Sequence, residues 1–347
     1  MATPMRPELA EAARMLLDQM GITPEDLLQA PGVRSQVPTF SEYVPVVLAA
    51  LGDGARRTYG NYLRKVVDRW GDRRLDEITP TEVETLMRQL QGEAVRRRNS
   101  RGGSSTGEHV IAALRCVYRR AVADRLIADA DDPARKVAKP RRPTSQRIAL
   151  PDERLGELVV AAGTGGQDPE LDALIVRFHI ETACRRGGLL GLRPMDLDVQ
   201  QCLAMLREKG GTYRWQPVSP TLMTFLLHHV HERGAAPDQQ LLRYLDGRPV
   251  TRRRYDGLFE RLGRELPWVA AQGVSAHWLR HTTLTWVERV YGYGVALAFA
   301  GHAESPNDTG TTARYVKATL QEIATALAGL TGEPNPLALP EKVTEAE

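Results

Sequence analysis

Two stretches of the chain carry the side chains best suited to phosphate chemistry. In the first, Arg185 lies in the run Thr-Ala-Cys-Arg-Arg-Gly-Gly-Leu-Leu-Gly-Leu. In the second, His277 and Arg280 belong to the run His-Trp-Leu-Arg-His-Thr, and His302 and Tyr315 follow downstream. Guanidinium groups match phosphate oxygens with a planar fork, and imidazoles exchange protons near neutral pH. With a tyrosine hydroxyl added, these groups would make a poor core and a good cage for a phosphodiester.

The elements that must position these residues are predicted to be mainly helical. Apolar residues recur at helical spacing from residue 39 onward, and Thr79-Pro80-Thr81-Glu82 is typical of a helix start. A Gly/Ser-rich loop at 99–107 interrupts this pattern. Residues 201–218 alternate and contain Gly210-Gly211, which predicts two or three short strands with a turn. At a helix start, His277 and Arg280 would share one face.

The order of these residues resembles the tyrosine recombinase (phage integrase) family. The first motif of that family, T-G-x-R-x-x-E-L-L-G-L, is similar to residues 182–192. Its second motif, H-x-L-R-H-T, matches residues 277–282 at every fixed position. A Gly-His pair and a T-T-x-x-Y-V motif match residues 301–302 and 311–316. The resemblance extends from about residue 39 to about residue 331.

The resemblance implies a set of six catalytic residues that need no metal or other cofactor. They are Arg185, Lys209, His277, Arg280, His302 and Tyr315. Tyr315 would attack the scissile phosphorus and leave a 3′-phosphotyrosyl link, with His277 as the candidate acceptor of its proton. Arg185 and Arg280 would hold the non-bridging oxygens, and His302 would add a hydrogen bond. Lys209, in the predicted hairpin turn, would protonate the leaving 5′-oxygen.

The chain departs from the family pattern at three places. Ala183 stands where the first motif has glycine, and Gly188 stands where it has an acidic residue. A hydrogen bond common in the family is therefore expected to be absent. Residues 303–310 make the interval before Tyr315 a few residues longer than usual, which bears on loop geometry and not on which tyrosine reacts.

Four nearby residues are interpreted as structural. Tyr291 and Tyr293 precede the Gly-His pair and lie in a glycine-bearing turn, so they are weaker candidates for the nucleophile. His281 is interpreted as a supporting histidine beside the site, with direct catalysis as the alternative. Cys184 could have a lowered pKa beside Arg185, yet a small buried residue is the preferred interpretation.

Composition and pattern divide the chain into two domains with extensions, as its 347 residues also suggest. The predicted parts are an N-terminal helical extension (1–38), a core-binding DNA domain (39–138), a basic linker (139–148), a catalytic domain (149–332) and a flexible C-terminal tail (333–347). The resemblance implies a SAM-like helical fold for the first domain. It implies a mixed α/β fold of the tyrosine recombinase type, with a small antiparallel sheet, for the second. The fold class is therefore mainly α.

Positive charge is concentrated in the first domain and the linker. Residues 39–143 hold 21 Lys and Arg against 14 Asp and Glu, whereas the formal net charge of the whole chain is +3. Cationic clusters suit a polyphosphate partner because neutralised phosphates release counterions, although solvated helix faces are the alternative. The candidate DNA-binding residues are Arg56, Arg57, Arg64, Lys65, Arg96, Arg97, Arg98, Arg101, Lys139, Arg141 and Arg142.

Several other classes of protein and site are disfavoured. No apolar run is long enough to predict a membrane span, and the first residues lack the pattern of a secretory signal. Three scattered cysteines argue against a disulfide framework and favour a reducing cytoplasm. His228, His229 and His231 lie in a leucine-rich stretch without cysteine or carboxylate partners, which disfavours a metal site. We expect a bacterial cytoplasmic, nucleoid-associated protein.

The resemblance implies a site-specific DNA recombinase that serves a phage, an integrative element or a transposon. Its expected partners are double-stranded recombination sites, further copies of itself in a tetramer on paired sites, and an optional accessory directionality protein. A type IB topoisomerase would form the same 3′-phosphotyrosine without a second duplex, and is one alternative. A catalytically decayed DNA-binding protein is another, although the presence of all six residues argues against it.

Overall fold

The computed structural model describes residues 7–23, 37–94, 104–141, 147–207, 211, 213–301 and 318–340. The chain forms two compact units, Met1–Thr144 (unit 1) and Ser145–Glu347 (unit 2). The division falls within residues 139–148, where the sequence predicts a linker. As predicted, the fold is mainly α with a small antiparallel sheet.

Unit 1 is helical throughout its described part. Its helices are α1 (Pro7–Met20), α2 (Phe40–Ala49), α3 (Asp53–Trp70), α4 (Pro80–Gly92), α5 (Ser104–Ala123) and α6 (Pro133–Lys136). Thr39 and Thr79 begin α2 and α4 with capping boxes, in which each threonine side chain accepts from a glutamate N–H three residues on. The core of α2–α5 contains the fully buried Phe40, Leu63 and Tyr118.

Unit 2 carries the sheet and the remaining helices. The helices are α7 (Asp152–Thr164), α8 (Pro169–Thr182), α9 (Arg186–Leu190), α10 (Pro220–Arg233), α11 (Arg252–Glu265), α12 (Pro267–Gln272), α13 (Ala276–Phe299) and α14 (Leu320–Thr331). The strands are β1 (Leu197–Asp198), β2 (Leu203–Arg207) and β3 (Tyr213–Pro217), antiparallel in the order β1-β2-β3. Arg207 pairs with Tyr213 next to the turn that joins β2 and β3, which confirms the strands predicted over residues 201–218. Across the described residues, no helix is long and apolar enough to cross a membrane.

The last helix packs against the kinked helix α13. Gly292, with φ 85° and ψ 168°, interrupts α13 near its middle, as a glycine tolerates such a conformation. Ile323 and Leu327 of α14 are buried in a cluster that includes Val287 and Phe299 of α13. The apolar stripe of α14 is thus covered by unit 2 of its own chain.

Residues 333–340 differ from the flexible tail that the sequence predicts. The Glu333 carboxylate accepts from Arg177 Nη2 at 2.6 Å and from the Thr221 N–H at 3.1 Å. Asn335 is buried, and its Nδ2 donates to the Val218 carbonyl at 2.9 Å. These side chains tie the segment to α8, α10 and the end of β3. A polar, proline-bearing composition therefore did not indicate a flexible tail at these residues. Residues 341–347 lie outside the described residues.

Candidate active site

Arg280 is a buried member of the predicted catalytic set. It lies in the first turns of α13 with an exposure of 4%. Its Nη1 donates to the Ala183 carbonyl, and its Nη2 donates to the Ala300 carbonyl at 2.7 Å. A guanidinium that two backbone carbonyls hold in one orientation is suited to binding an anion.

Arg185 follows a turn that the sequence makes unusual. Helix α8 ends at Thr182. Its C-cap residue, Ala183, has left-handed φ and ψ of 47° and 23°, and its N–H donates to the His179 carbonyl at 3.1 Å. Glycine is favoured at such a position because a Cβ there costs about 1–2 kcal/mol. This explains the glycine of the family motif, and the buried Ala183 tolerates the conformation within the α13–α14 cluster. Arg185 is then the half-buried N-cap residue of α9.

Gly188 is buried in the first turn of α9, where the family motif has its acidic residue. Its N–H donates to the Arg185 carbonyl at 2.8 Å. Without a side chain, Gly188 offers no carboxylate to this turn. The backbone around Arg185 is held by backbone hydrogen bonds and by a buried histidine.

That histidine, His179, holds the backbone just before Arg185. Its Nδ1 lies 3.2 Å from the Cys184 carbonyl and its Nε2 lies 3.0 Å from the Tyr255 hydroxyl. One neutral tautomer satisfies both contacts, with Nδ1 donating and Nε2 accepting. Complete burial, with the positive charges of Arg280 and Arg186 adding to it, lowers the pKa of His179 to about 4. Cys184 is buried, in agreement with its interpretation as a small buried residue.

His277 lies one helical turn before Arg280, and the two predicted residues lie in one charged environment. Partial desolvation, and then the positive charges of Arg147, Arg280, His281 and Arg185, lower the pKa of His277 below its usual range. A lowered pKa favours the neutral ring, which is the form that can accept a proton. The structure thus brings Arg185, His277 and Arg280 together.

Other residues of the second motif form hydrogen bonds with residues 147–150, near the start of unit 2. Trp278 Nε1 donates to the Ile148 carbonyl at 2.8 Å, and His281 Nε2 lies 3.0 Å from the Arg147 carbonyl. The Leu150 N–H donates to Thr282 Oγ1 at 3.1 Å. These bonds support the structural interpretation of His281. They also place Arg147, which the sequence analysis missed, among the cations around His277.

Three predicted catalytic residues, Lys209, His302 and Tyr315, lie outside the described residues. The described chain stops at neighbours of two of them: Arg207 and Tyr213 flank the turn with Lys209, and Gly301 precedes His302. Their roles stay predictions.

Tyr291 and Tyr293 flank the kink of α13. Tyr291 is half-buried against Trp286, with ring centroids 5.9 Å apart, and its hydroxyl lies against Gly329 of α14, where a Cβ would be 2.1 Å from it. Tyr293 is 63% exposed. The packing of Tyr291 between two helices agrees with a structural role.

The candidate DNA-binding residues divide by what their side chains contact. Arg56 donates to the carbonyls of Leu48, Ala49 and Leu51, and so caps the end of α2. Arg64, Lys139 and Arg141 are exposed, Lys65 is half-buried, and Arg57 donates to the Asp53 carbonyl. Arg56 is exposed as well, so it differs from the others in its carbonyl contacts, which the sequence pattern could not show. Arg96, Arg97, Arg98, Arg101 and Arg142 lie outside the described residues.

A further cationic surface lies in unit 2. Its residues were not among the DNA contacts predicted from the sequence. Arg252 and Arg253 are exposed in the first turn of α11. Arg186, next to Arg185, lies over the Tyr255 ring of that helix at 5.8 Å and pairs with Asp256 at 3.8 Å. Cations at a helix N-terminus are unfavourable unless an anion approaches them. The run Arg252-Arg253-Arg254 is the sequence feature that could have predicted this cationic surface.

His229 has a role in folding. Its Nε2 accepts the Arg243 N–H at 3.1 Å, and burial lowers its pKa to about 4. His231 is exposed on the same helix, at 85%. A bond that requires the neutral ring explains why a histidine is buried in this leucine-rich stretch.

Comparison with known proteins finds a family model and a relative that match this chain. The model of the phage integrase family matches residues 150–322, about half of the chain. A tyrosine recombinase XerC of Chlamydia caviae is 23% identical over 205 residues, which are 57% of this chain and 64% of that protein. The chain therefore spans slightly less than two thirds of that relative.

Solved structures share the fold at low sequence identity. A lambda integrase tetramer bound to a Holliday junction has a TM-score of 0.63 and 13% identity, over 90% of this chain and 92% of that chain. The Tn1549 transposon integrase in complex with transposon right end DNA has a TM-score of 0.60 and 16% identity, over 85% and 100%. Both comparisons extend over most of the chain, beyond the range of the family model.

Proposed function

The chain belongs to the phage integrase family of tyrosine recombinases, and we propose that it cuts and rejoins DNA at recombination sites through a 3′-phosphotyrosyl intermediate. The observation that carries the proposal is the grouping of Arg185 with the buried Arg280, which donates to the Ala183 carbonyl just before Arg185, and with His277, whose pKa both arginines help to lower. A proton acceptor beside two guanidinium groups suits attack on a phosphodiester, in which a proton leaves the nucleophile as negative charge builds on oxygen.

The proposed cleavage step uses the predicted residues in distinct roles. The Tyr315 oxygen forms a bond to phosphorus as its proton passes to His277. Arg185 and Arg280 stabilise the negative charge on the non-bridging oxygens, and His302 donates a further hydrogen bond. The bond to the 5′-oxygen breaks, and Lys209 supplies the proton of the new 5′-hydroxyl.

Rejoining reverses these changes with a different 5′-hydroxyl. That hydroxyl attacks the phosphotyrosine, Tyr315 leaves, and a strand from the second duplex is joined. Because the phosphotyrosine preserves the bond energy, no external energy source is needed. This step distinguishes a recombinase from a type IB topoisomerase, which rejoins the strand it has cut.

The proposed DNA contacts come from both units. In unit 1 the exposed Arg64, with Lys139 and Arg141 after its last helix, are candidates for phosphate contacts. In unit 2 the cations that continue from Arg185 are Arg186, Arg252 and Arg253. The arginines at 96–98, 101 and 142, which lie outside the described residues, remain candidates from the sequence. Because capping occupies the Arg56 guanidinium, Arg56 is the weakest member of the original set.

The proposed assembly is a tetramer on two paired sites, in which α14 moves to a neighbouring protomer. In the single chain α14 covers its own cluster with Ile323 and Leu327. The same apolar stripe could be buried equally well against the same cluster of another copy, which makes exchange low in cost. The proposal also includes an accessory directionality protein. It further holds that the protein serves a phage, an integrative element or a transposon and acts at the bacterial nucleoid.

The test starts from the unknown DNA site. A pool of nicked 40-base-pair duplexes with randomised sequence is incubated with the protein, and the DNA that stays attached under denaturing conditions is sequenced. We expect a recurrent sequence from the wild type and none from Tyr315→Phe, which removes only the hydroxyl. A Tyr315→Phe protein that still traps DNA would refute the role of Tyr315.

The recovered duplex then separates the two enzyme classes. Two labelled copies of this duplex should exchange strands when paired. Relaxation of supercoiled DNA without any exchange between duplexes would favour the topoisomerase alternative.

A further inference from the structure

An arginine outside the predicted catalytic set contacts two parts of the site. Arg214, in β3, donates from Nη2 to the Thr182 carbonyl at 3.4 Å, at the end of α8. Its side chain also covers Gly301, where a Cβ would lie 2.3 Å from Arg214 Nε and 2.4 Å from its Cδ. Gly301 has φ +62°, so glycine is required there both by the backbone and by the close approach of this side chain.

The contacts of Arg214 run beside those of Arg280. Arg280 joins the Ala183 carbonyl to the Ala300 carbonyl. Arg214 joins the preceding carbonyl, that of Thr182, to the following residue, Gly301. Two arginines from different elements therefore brace the same two segments, residues 182–183 and 300–301.

Arg214 is itself held in place by its own strand. Its Nη1 donates to the Gln216 side-chain oxygen, and Gln216 is fully buried in β3. A guanidinium held in this way has less freedom to move than a surface arginine, so it can transmit the position of the sheet to the turn before Arg185.

We propose that Arg214 is a positioning residue for the phosphate cage, fixing the turn before Arg185 against Gly301 and the carbonyls that hold Arg280. This inference rests on the proposed function. Arg214 acts through Arg185 and Arg280, whose guanidinium groups face the charge that develops on the phosphate. Its loss should therefore lower the rate of cleavage more than the affinity for DNA.

The first experiment measures the single-turnover rate of covalent adduct formation on the nicked duplex recovered by the capture experiment. For Arg214→Ala we expect a loss of about 10- to 100-fold at saturating protein, because a displacement of about 1 Å in a catalytic group costs up to about 100-fold. The dissociation constant for the same duplex should change less than about threefold, given that Arg214 is not assigned a DNA contact. Arg214→Lys should restore little, since one ammonium cannot replace the fork that reaches both Thr182 and Gln216. Arg248→Ala, at an exposed arginine paired with Asp246, is the matched control and should cleave at the wild-type rate.

The second experiment asks whether the contact with Gly301 carries the effect. In Gly301→Ala the new Cβ should displace the Arg214 side chain and slow cleavage. In the Gly301→Ala/Arg214→Ala double variant there is no guanidinium left to displace. Its rate loss should therefore be smaller than the product of the two single losses. Independent, multiplicative losses would overturn the proposed contact.

The third experiment separates positioning of the cage from general support of the fold. A methylphosphonate at the scissile position replaces one charged non-bridging oxygen with a neutral methyl group. Since less charge then needs stabilising, the ratio of wild-type to Arg214→Ala rates should shrink on this substrate. An equal ratio on both substrates, or wild-type cleavage of the phosphate by Arg214→Ala, would overturn the inference. A wild-type protein that forms no adduct with any duplex would overturn the proposed function itself.

Discussion

Protonation of one buried histidine should make the stability of unit 2 depend on pH. His179 is fully buried and has a pKa of about 4, against an ordinary value of 6.5. The unfolded chain therefore binds this proton more readily than the folded chain, so the free energy of unfolding falls as the pH drops below about 6.5. The loss is complete below about pH 4. For these two pKa values it amounts to about 2 kcal/mol between pH 8 and pH 5.

The variant His179→Gln isolates this contribution. Glutamine can donate to the Cys184 carbonyl and accept from the Tyr255 hydroxyl, but it does not titrate. Urea unfolding followed by tryptophan fluorescence reports mainly on unit 2, because Trp70 is the one tryptophan outside it. The wild type should lose about 2 kcal/mol more than His179→Gln between pH 8 and pH 5. Other groups, including His229, titrate in both proteins and cancel in the difference.

The control is His231→Gln, on an exposed ring of the same unit. It should keep the pH dependence of the wild type. If His179→Gln shows the same pH dependence as the wild type and this control, the histidine is not held neutral and the bracing of the turn before Arg185 by a neutral ring is wrong.

Two further predictions concern the proposed DNA contacts and the assembly. Arg252→Ala with Arg253→Ala should lower the slope of log affinity against log salt by about 2, at about 0.9 for each lost phosphate contact, measured by fluorescence anisotropy on the captured duplex; an unchanged slope would remove these two arginines from the interface. Leu320→Asp with Ile323→Asp places one charge at the half-buried start of α14 and one in the cluster that α14 covers. Full burial of a side chain such as Ile323 is worth about 1.5–3 kcal/mol, so this variant should bind one site but fail in native-gel synapsis and strand exchange. Gln321→Asp, exposed on the same helix, is the control, and normal recombination by the double variant would contradict the exchange of α14.

Short sequence motifs predicted the candidate site residues, because phosphate chemistry requires particular side-chain types. Arg185, His277 and Arg280 come from short motifs, and the structure brings them together because the end of α8 and the start of α13 meet. The alternation before and after Gly210-Gly211 predicted the hairpin, since period-two alternation is a local signal. These predictions required no knowledge of how distant elements pack.

The remaining features depend on tertiary contacts that no local pattern encodes. Arg214 looks like any strand arginine until it is found against Gly301, 87 positions along the chain. In the sequence Arg56 resembles its neighbour Arg57, yet the Arg56 guanidinium donates to carbonyls at the end of α2. Glu333 belongs to a stretch with the composition of a tail, but Arg177 and the start of α10 hold it. A partner distant along the chain decides the role of Arg214 and of Glu333, whereas for Arg56 the position of the preceding helix end decides it.

The most direct test of the account identifies the residue bonded to DNA. The covalent adduct formed on the captured duplex is digested with nuclease and trypsin, and the modified peptide is sequenced by mass spectrometry. Trypsin cleaves after Arg314 and Lys317, so the account predicts a nucleotide joined through its 3′-phosphate to Tyr315 in the peptide Tyr-Val-Lys. A nucleotide found on Tyr291 or Tyr293, or joined through a 5′-phosphate, would contradict the account.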